Sequence, residues 1–179
     1  YARVREFVRE RCDNMVLETP GIPGPLGFLL SDGDPDQVAV EHSRENGDSV
    51  TRTTITTPRG PLVMETRTRP ELYTVWTTEF LLKSPEDVDR LLSLPFEPAE
   101  PEFTTYDELS HTLGDRGLMM PDVNDPLVMI ATFMTFEDYI MLATVDRARF
   151  RALLDFFAGR IEAWLEQVVA HTESAVYRI

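Results

Sequence analysis

The sequence predicts an α/β fold in which an antiparallel β-meander is followed by helices and the strands of a parallel sheet. Four β-prone segments separated by tight turns occupy 36–83. After Ser84 the chain is dominated by helix signals, and a short apolar strand at 117–120 stands between helices, as in β/α units. We therefore divide one domain into an amino-terminal helix with its connection at 1–35, the meander at 36–83 and the β/α part at 84–179.

Composition excludes several classes of protein. The 179 residues include 17 Lys and Arg against 31 Asp and Glu, a formal net charge of -14. Such an acidic chain repels phosphate backbones, so we expect no nucleic acid as a partner. No run of about eighteen apolar residues and no secretion signal is present, so we expect no membrane span and a cytoplasmic location.

The amino-terminal part combines a helix with an irregular segment. Apolar residues at helical spacing predict a helix from Ala2 to Asn14, with four arginines on its solvated side. The single cysteine, Cys12, falls within this pattern and is interpreted as a buried or half-buried inert thiol. Frequent Gly and Pro between 19 and 35 indicate an irregular connection.

The central part is predicted to be a four-stranded meander. Val38 and Val40 alternate with polar residues, and Asn46-Gly47 is a strong hairpin signal. The segment Val50 to Thr57 contains five Thr, which suit a pleated surface. A turn at 58–61 and two further strands complete the meander. These strands are expected at Leu62 to Arg69 and at Tyr73 to Leu82.

The last part is predicted to be mainly helical. Ser84 followed by Pro85 and two acids begins the first helix. Further helices are expected at about Thr105 to Leu113, after Pro126, after the cap Thr135, and from about Asp146 to Thr172, with a short buried strand at Gly117 to Met120.

The two ends of the sequence predict a piece of a longer protein. The chain begins at Tyr1 inside a helical pattern and stops in a β-like run from Ala175 to Ile179. Because a strand needs a neighbour for its backbone groups, we expect the native protein to be longer.

One loop carries the candidate functional residues. Asp122, Asn124 and Asp125 follow the apolar strand and precede a helix, which places them at the carboxyl end of a parallel strand, where α/β proteins collect catalytic groups. Two acids and an amide at this position could bind a cation, orient a substrate amine or act as an acid–base group. Asp122 is the predicted catalytic residue, and Asn124 and Asp125 are predicted to bind substrate. The alternative interpretation makes Asp125 an N-cap before Pro126 and leaves Asp122 facing water.

The histidines and the remaining motifs add no catalytic centre. His42, His111 and His171 lack the spacing of metal ligands, and each is interpreted as a surface or structural residue. The sequence has no glycine-rich phosphate loop, no nucleophile elbow and no paired-histidine zinc motif.

Several strings, in this order and spacing, resemble the uroporphyrinogen decarboxylase superfamily, and most closely its methyltransferase-like branch. They are Thr57-Pro58-Arg59-Gly60-Pro61-Leu62, then Trp76, then Leu82-Lys83-Ser84-Pro85-Glu86-Asp87, then Asp125-Pro126-Leu127, and the segment from 146 to 179. The resemblance implies a (β/α)8 TIM barrel. This chain would hold a peripheral meander and the first β/α units of that barrel.

The resemblance implies an enzyme with one of two chemistries. One is zinc-dependent transfer of a methyl group between a corrinoid protein and an acceptor, and the other is decarboxylation of a porphyrinogen-like substrate. The decarboxylase's arginine-rich amino-terminal signature is absent, so a methyltransferase parent is the first hypothesis. A decarboxylase would need an arginine clamp for its carboxylates, for which Arg59, Arg67 and Arg69 are the candidates.

Cofactor and partner expectations follow from the same resemblance. The branch's zinc ligands would lie beyond Ile179, so no cofactor is expected within this chain, and zinc and a corrinoid protein belong to the full-length parent. We expect a small-molecule substrate, no activity of this chain alone, and a homo-oligomer that buries the apolar edges of an incomplete barrel. A third hypothesis, for a complete chain, is a non-catalytic α+β binding module.

Overall fold

The computed structural model describes residues 2–21, 25–29, 37–72, 74–98, 100–172 and 176–177. These residues form a mixed α/β structure with six α-helices, six strands and two short 3₁₀ turns at Pro25–Phe28 and Gly114–Arg116. In chain order the elements are α1 (Ala2–Arg11), β1 (Asn14–Leu17), β2 (Val38–Glu45), β3 (Asp48–Ile55), β4 (Leu62–Thr68), β5 (Val75–Glu79), α2 (Pro85–Leu91), α3 (Thr104–Leu113), β6 (Gly117–Met120), α4 (Pro126–Phe133), α5 (Phe136–Val145) and α6 (Arg147–His171).

The predicted meander is confirmed as a four-stranded antiparallel sheet in the order β2-β3-β4-β5. Asn46 and Gly47 turn the first hairpin with positive φ angles of 51° and 90°. The last strand is shorter than expected and ends at Glu79, because the chain then leaves the sheet for the helical layer. There Leu81 and Leu82 are buried, and the Leu82 N–H donates to the Phe133 carbonyl at 2.8 Å.

A second sheet consists of β1 and β6, which run parallel with Asn14 opposite Gly117 and Leu17 opposite Met120. The prediction of a helix to Asn14 is wrong, since the helix ends at Arg11 and a strand begins at Asn14. Asp and Asn disfavour a helix interior, and the β-prone run that follows Asp13 finds a partner in β6. Gly117 permits this pairing because a Cβ there would overlap the Asn14 backbone.

The helix starts follow the capping signals of the sequence. The side chains of Ser84, Asp125 and Thr135 accept hydrogen bonds from backbone N–H groups in the first turns of α2, α4 and α5. Asp146 caps α6 in the same way, with the Arg149 N–H donating to Oδ1 at 3.2 Å. Each cap satisfies donors that the helix leaves unpaired.

The hydrophobic core lies between α6, α4, α2 and the end of the meander that carries Ile55 and Leu62. The buried stripe of α6 packs on α4, where the rings of Phe157 and Phe133 stack at 5.9 Å. Trp164 of α6 donates its indole N–H to the Pro20 carbonyl at 3.1 Å, which ties the segment after β1 to the core. These contacts hold both sheets against one helical layer.

Two burial predictions are wrong. Cys12 is exposed, because the helix ends at Arg11 and Cys12 lies in the bend that follows it. Leu118 of the strand expected to be buried is 55% exposed, together with Met15 at 62% and Leu17 at 50%. By register these three side chains share one face of the parallel pair with Met120, which is half-buried, and much of that face is exposed.

The described residues contain no closed barrel, and the parallel sheet has two strands. Of the run predicted as the final strand, 175 and 178–179 lie outside the described residues, and Val176 and Tyr177 are not assigned to a strand. The Tyr177 hydroxyl hydrogen-bonds the Thr172 hydroxyl at 2.8 Å. In the described part of the chain, no helix has the length and apolar character needed to cross a bilayer.

Candidate functional site

The candidate site lies at the carboxyl edge of the parallel pair. Because Leu17 is level with Met120, the two strands end together, and the residues that follow them are neighbours. The Asp122 backbone N–H donates to the Thr19 hydroxyl oxygen at 3.2 Å. This bond joins the loop after β6 to the segment after β1.

Asp122, the predicted catalytic residue, is half-buried in this loop. Its sequence neighbours Pro121 and Val123 are both buried and anchor the backbone on either side. The carboxyl group therefore sits on a constrained segment at the edge of the sheet. Such placement suits a group that must meet a substrate in one orientation.

Asp125 acts as the N-cap of α4. Its Oδ1 accepts from the Leu127 N–H at 2.7 Å and from the Val128 N–H at 3.4 Å, and Pro126 occupies the first helical position. The cap accounts for the position of this carboxylate without a ligand. Asn124 is half-buried between Asp122 and the cap, so its amide remains the better candidate for a substrate contact.

Two residues at this edge were missed by the sequence analysis, Glu18 and Thr19. Both are half-buried and follow β1 directly. The signal that locates them is β1 itself, a strand of four residues in a segment interpreted as helix and irregular connection. A single strand such as β6 leaves its backbone groups unpaired unless another strand lies beside it. The β-prone residues before Glu18 form that neighbouring strand.

The three histidines lie away from this edge or on the surface. His111 is exposed on α3, and His42 is exposed on β2 with its Nδ1 at 3.1 Å from the Thr51 hydroxyl. His171 has its Nε2 at 3.0 Å from the Asp107 carboxylate and its ring stacked on Phe103 with centroids 3.8 Å apart. These placements agree with surface and structural roles.

Two of the three arginines of the predicted clamp are paired with carboxylates of the meander, whereas Arg59 is exposed in the turn between β3 and β4. Arg67 contacts Glu45 at 2.8 Å and Glu65 at 2.9 Å, and Arg69 contacts Asp48 at 3.0 Å. A hydrogen bond from Thr78 and a second from Arg67 hold the pKa of the Glu65 carboxyl below its usual value. Arginines already paired in this way offer little to a carboxylate substrate.

The part of the chain that the structure describes contains no evident metal site. There, no group of three or more His, Cys, Asp or Glu side chains is placed to hold an ion. The family resemblance places its zinc ligands beyond Ile179, outside this chain, and we derive no step through zinc.

Comparisons with known proteins identify no relative of this chain. No protein-family model, no curated protein and no solved structure matches this chain. The functional inference therefore depends on the parallel pair, its polar edge and its uncovered face.

Proposed function

We propose that this chain is part of a (β/α)8-barrel enzyme whose substrate site includes the carboxyl edge of β1 and β6. The observation that carries the proposal is the parallel pairing of two strands that end level in a polar loop. In barrels of this kind the active site lies at the carboxyl ends of the strands. Asp122 would act there as the acid–base group, and Thr19 and Asn124 would orient the substrate.

The uncovered face of the parallel pair supports a longer sheet. One apolar face carries Met15, Leu17 and Leu118, which are 62%, 50% and 55% exposed, beside the half-buried Met120. Two strands by themselves are marginal in water, and inward-facing barrel residues pack in layers against those of other strands. Additional parallel strands would cover this face, whereas a complete binding module would be expected to bury it internally.

Between the two chemistries, the ion pairs of the meander favour methyl transfer. Decarboxylation of a multiply carboxylated substrate needs several unpaired arginines. Of the three candidates, Arg67 and Arg69 contact carboxylates, which leaves Arg59 as the single candidate without an ion pair among the described residues. We therefore propose a methyltransferase of the uroporphyrinogen decarboxylase type as the parent enzyme, with a corrinoid protein as its partner. Decarboxylation of a carboxylate-bearing substrate is the second candidate.

The test is methyl transfer by the native protein from methylcobalamin to a thiol, followed by corrinoid absorbance. Asp122→Asn keeps the size of the side chain and removes its acid–base function, so we expect a rate about 10²- to 10⁴-fold lower. The matched control is Asp115→Asn, an exposed residue in the turn at the opposite end of β6, which should leave the rate unchanged. Full activity of Asp122→Asn, or decarboxylation without methyl transfer, would contradict the proposal.

A further inference from the structure

The two faces of the meander differ sharply in charge. Side chains alternate between faces along each strand, and residues in register share a face. Every carboxylate of β2, β3, β4 and β5 falls on one face, together with Arg52 and Arg67. These carboxylates are Glu41, Glu45, Asp48, Glu65 and Glu79.

The other face carries hydroxyl groups, one imidazole and one guanidinium. One row across the sheet consists of His42, Thr51, Thr66 and Thr77, and the row beyond it begins with Arg44. Ser49, Thr68 and the exposed Val75 complete that second row. We call the part of this face beyond the core, formed by these two rows, the hydroxyl face.

A concavity of about 380 Å³ opens on the hydroxyl face between β2 and β3. Its lining includes His42, Arg44, Ser49 and Thr51, so the cationic side chain and the hydroxyls converge on one space. His42 and Thr51 are held together by the 3.1 Å contact between Nδ1 and the hydroxyl oxygen. The concavity is open to solvent and therefore accessible to a small ligand.

Arg44 differs from the arginines of the opposite face in its pairing. Arg52, Arg67 and Arg69 all contact carboxylates, whereas Arg44 forms no ion pair with any residue that the structure describes. In a protein of net charge -14, a face without carboxylates around an unpaired guanidinium is complementary to an anion.

We infer that the hydroxyl face binds a small carboxylate that also carries hydroxyl groups. The planar guanidinium of Arg44 matches a carboxylate with two parallel hydrogen bonds. One permanent positive charge suits a monoanion better than a phosphate dianion. The Ser and Thr hydroxyls both donate and accept, so they pair with hydroxyls of the ligand. This site is separate from the carboxyl edge of β1 and β6 and goes beyond the proposed enzyme activity.

The experiment is a titration of the purified protein with gluconate, followed by calorimetry and by amide chemical shifts. Gluconate has about 13 non-hydrogen atoms, which at the usual efficiency of small ligands gives a dissociation constant of about 1 mM. We expect the shifts to centre on Ser49 and Thr51. Arg44→Gln should weaken binding about tenfold, since a charge-assisted hydrogen bond is lost.

The controls separate this site from general attraction of anions. Arg52→Gln removes an arginine from the opposite face of the adjacent strand and should leave gluconate binding unchanged. Sorbitol, which lacks the carboxylate, should bind at least about tenfold more weakly. Thermal melts confirm that both variants fold.

Three results would overturn the inference: absence of gluconate binding, equal losses in the Arg44 and Arg52 variants, or tighter binding of inorganic phosphate. All readouts are at the meander, so their failure leaves the methyl-transfer proposal standing. Conversely, loss of activity in the Asp122 variant has no bearing on gluconate binding.

Discussion

Arg160 is a buried cation of α6 whose contribution to stability can be worked out from its surroundings. Its residue is only 6% exposed, and burial lowers the pKa of the guanidinium to about 10. Desolvation of the charge therefore costs at most about 3 kcal/mol in the folded protein. The group remains charged at neutral pH.

Several contacts offset this cost. Nη2 donates to the carbonyl oxygens of Leu94 and Pro95 at 3.3 and 3.2 Å, and Nη1 donates to the Phe156 carbonyl at 3.3 Å. The guanidinium group also lies 3.5 Å from the ring centroid of Phe156 and 4.5 Å from that of Phe96. Hydrogen bonds of this kind contribute about 1 kcal/mol each and cation–π contacts about 0.5–2 kcal/mol. Arg160 Nε is buried and has no hydrogen-bond partner in the described structure, which adds to the cost of burying the group. The hydrogen bonds and ring contacts therefore nearly balance the desolvation of the charge.

Arg160→Met keeps an unbranched apolar stem in place of the arginine stem and removes both sets of contributions. We expect its free energy of unfolding at pH 7, measured by urea denaturation, to lie within about 1 kcal/mol of the native value. Arg160→Ala also opens a cavity beside the two rings and should lose about 2–4 kcal/mol. Equal, large losses in both variants would refute the reasoning, because the charge itself would then be a net stabiliser.

The same residue predicts a pH dependence. The folded protein releases the Arg160 proton at lower pH than the unfolded chain, so its contribution to stability rises as pH increases through about 10. Relative to Arg160→Met, the native protein should gain stability between pH 9 and pH 11, measured by urea denaturation at both values. A constant difference between the two proteins would contradict this assignment.

Three further predictions concern individual hydrogen bonds and ion pairs that connect parts of the fold. Trp164→Phe removes the donor to the buried Pro20 carbonyl and should lower the urea unfolding free energy by about 1–3 kcal/mol; an unchanged value would mean that this bond is not needed. Asp125→Ala should cost about 1 kcal/mol in the same assay while Asp125→Asn, which also caps helices, costs little, and equal losses would point to a role beyond the cap. Arg149 holds the pKa of Asp89 below its usual value through two hydrogen bonds of 2.9 and 3.0 Å, so this contribution is present at neutral pH and is lost as pH falls below about 4. Acid titrations of stability should therefore be flatter for Arg149→Met than for the native protein, and parallel titrations would exclude the pair as a source of acid sensitivity.

Local signals account for the parts of the fold that the sequence predicted well. The hairpin at Asn46-Gly47 and the caps Ser84 and Thr135 depend on a few consecutive residues, and the structure has them where the pattern placed them. The long helix α6 likewise follows from its apolar stripe, and it runs within one residue of the expected limits. Such features need no knowledge of distant neighbours.

Features that depend on distant partners were missed or misjudged. The strand β1 forms only through pairing with β6, and Thr19 meets Asp122 across 103 residues of sequence. The exposure of Leu118 also reflects which segments cover the sheet rather than the hydrophobicity of the strand. For the same reason Asp122 was identified from its own loop, while its neighbours after β1 were not.

The arginines show a similar limit. Arg67 and Arg69 were proposed with Arg59 as a clamp for substrate carboxylates, yet these two pair with carboxylates of the meander itself. Period-two alternation along β2 was sufficient to place Arg44 and His42 on one face without acids, once the register of the hairpin was known. The strand register therefore shows which charged residues share a face of the sheet, which composition alone does not show.

The measurement that tests the central claim most directly is the intact mass of the native protein from its own cell. A (β/α)8 barrel takes about 250 residues or more. If β1 and β6 are its neighbouring strands, the mass will lie well above the 20.4 kDa of this chain. A native mass of 20.4 kDa would contradict the barrel and make a small binding module the better account.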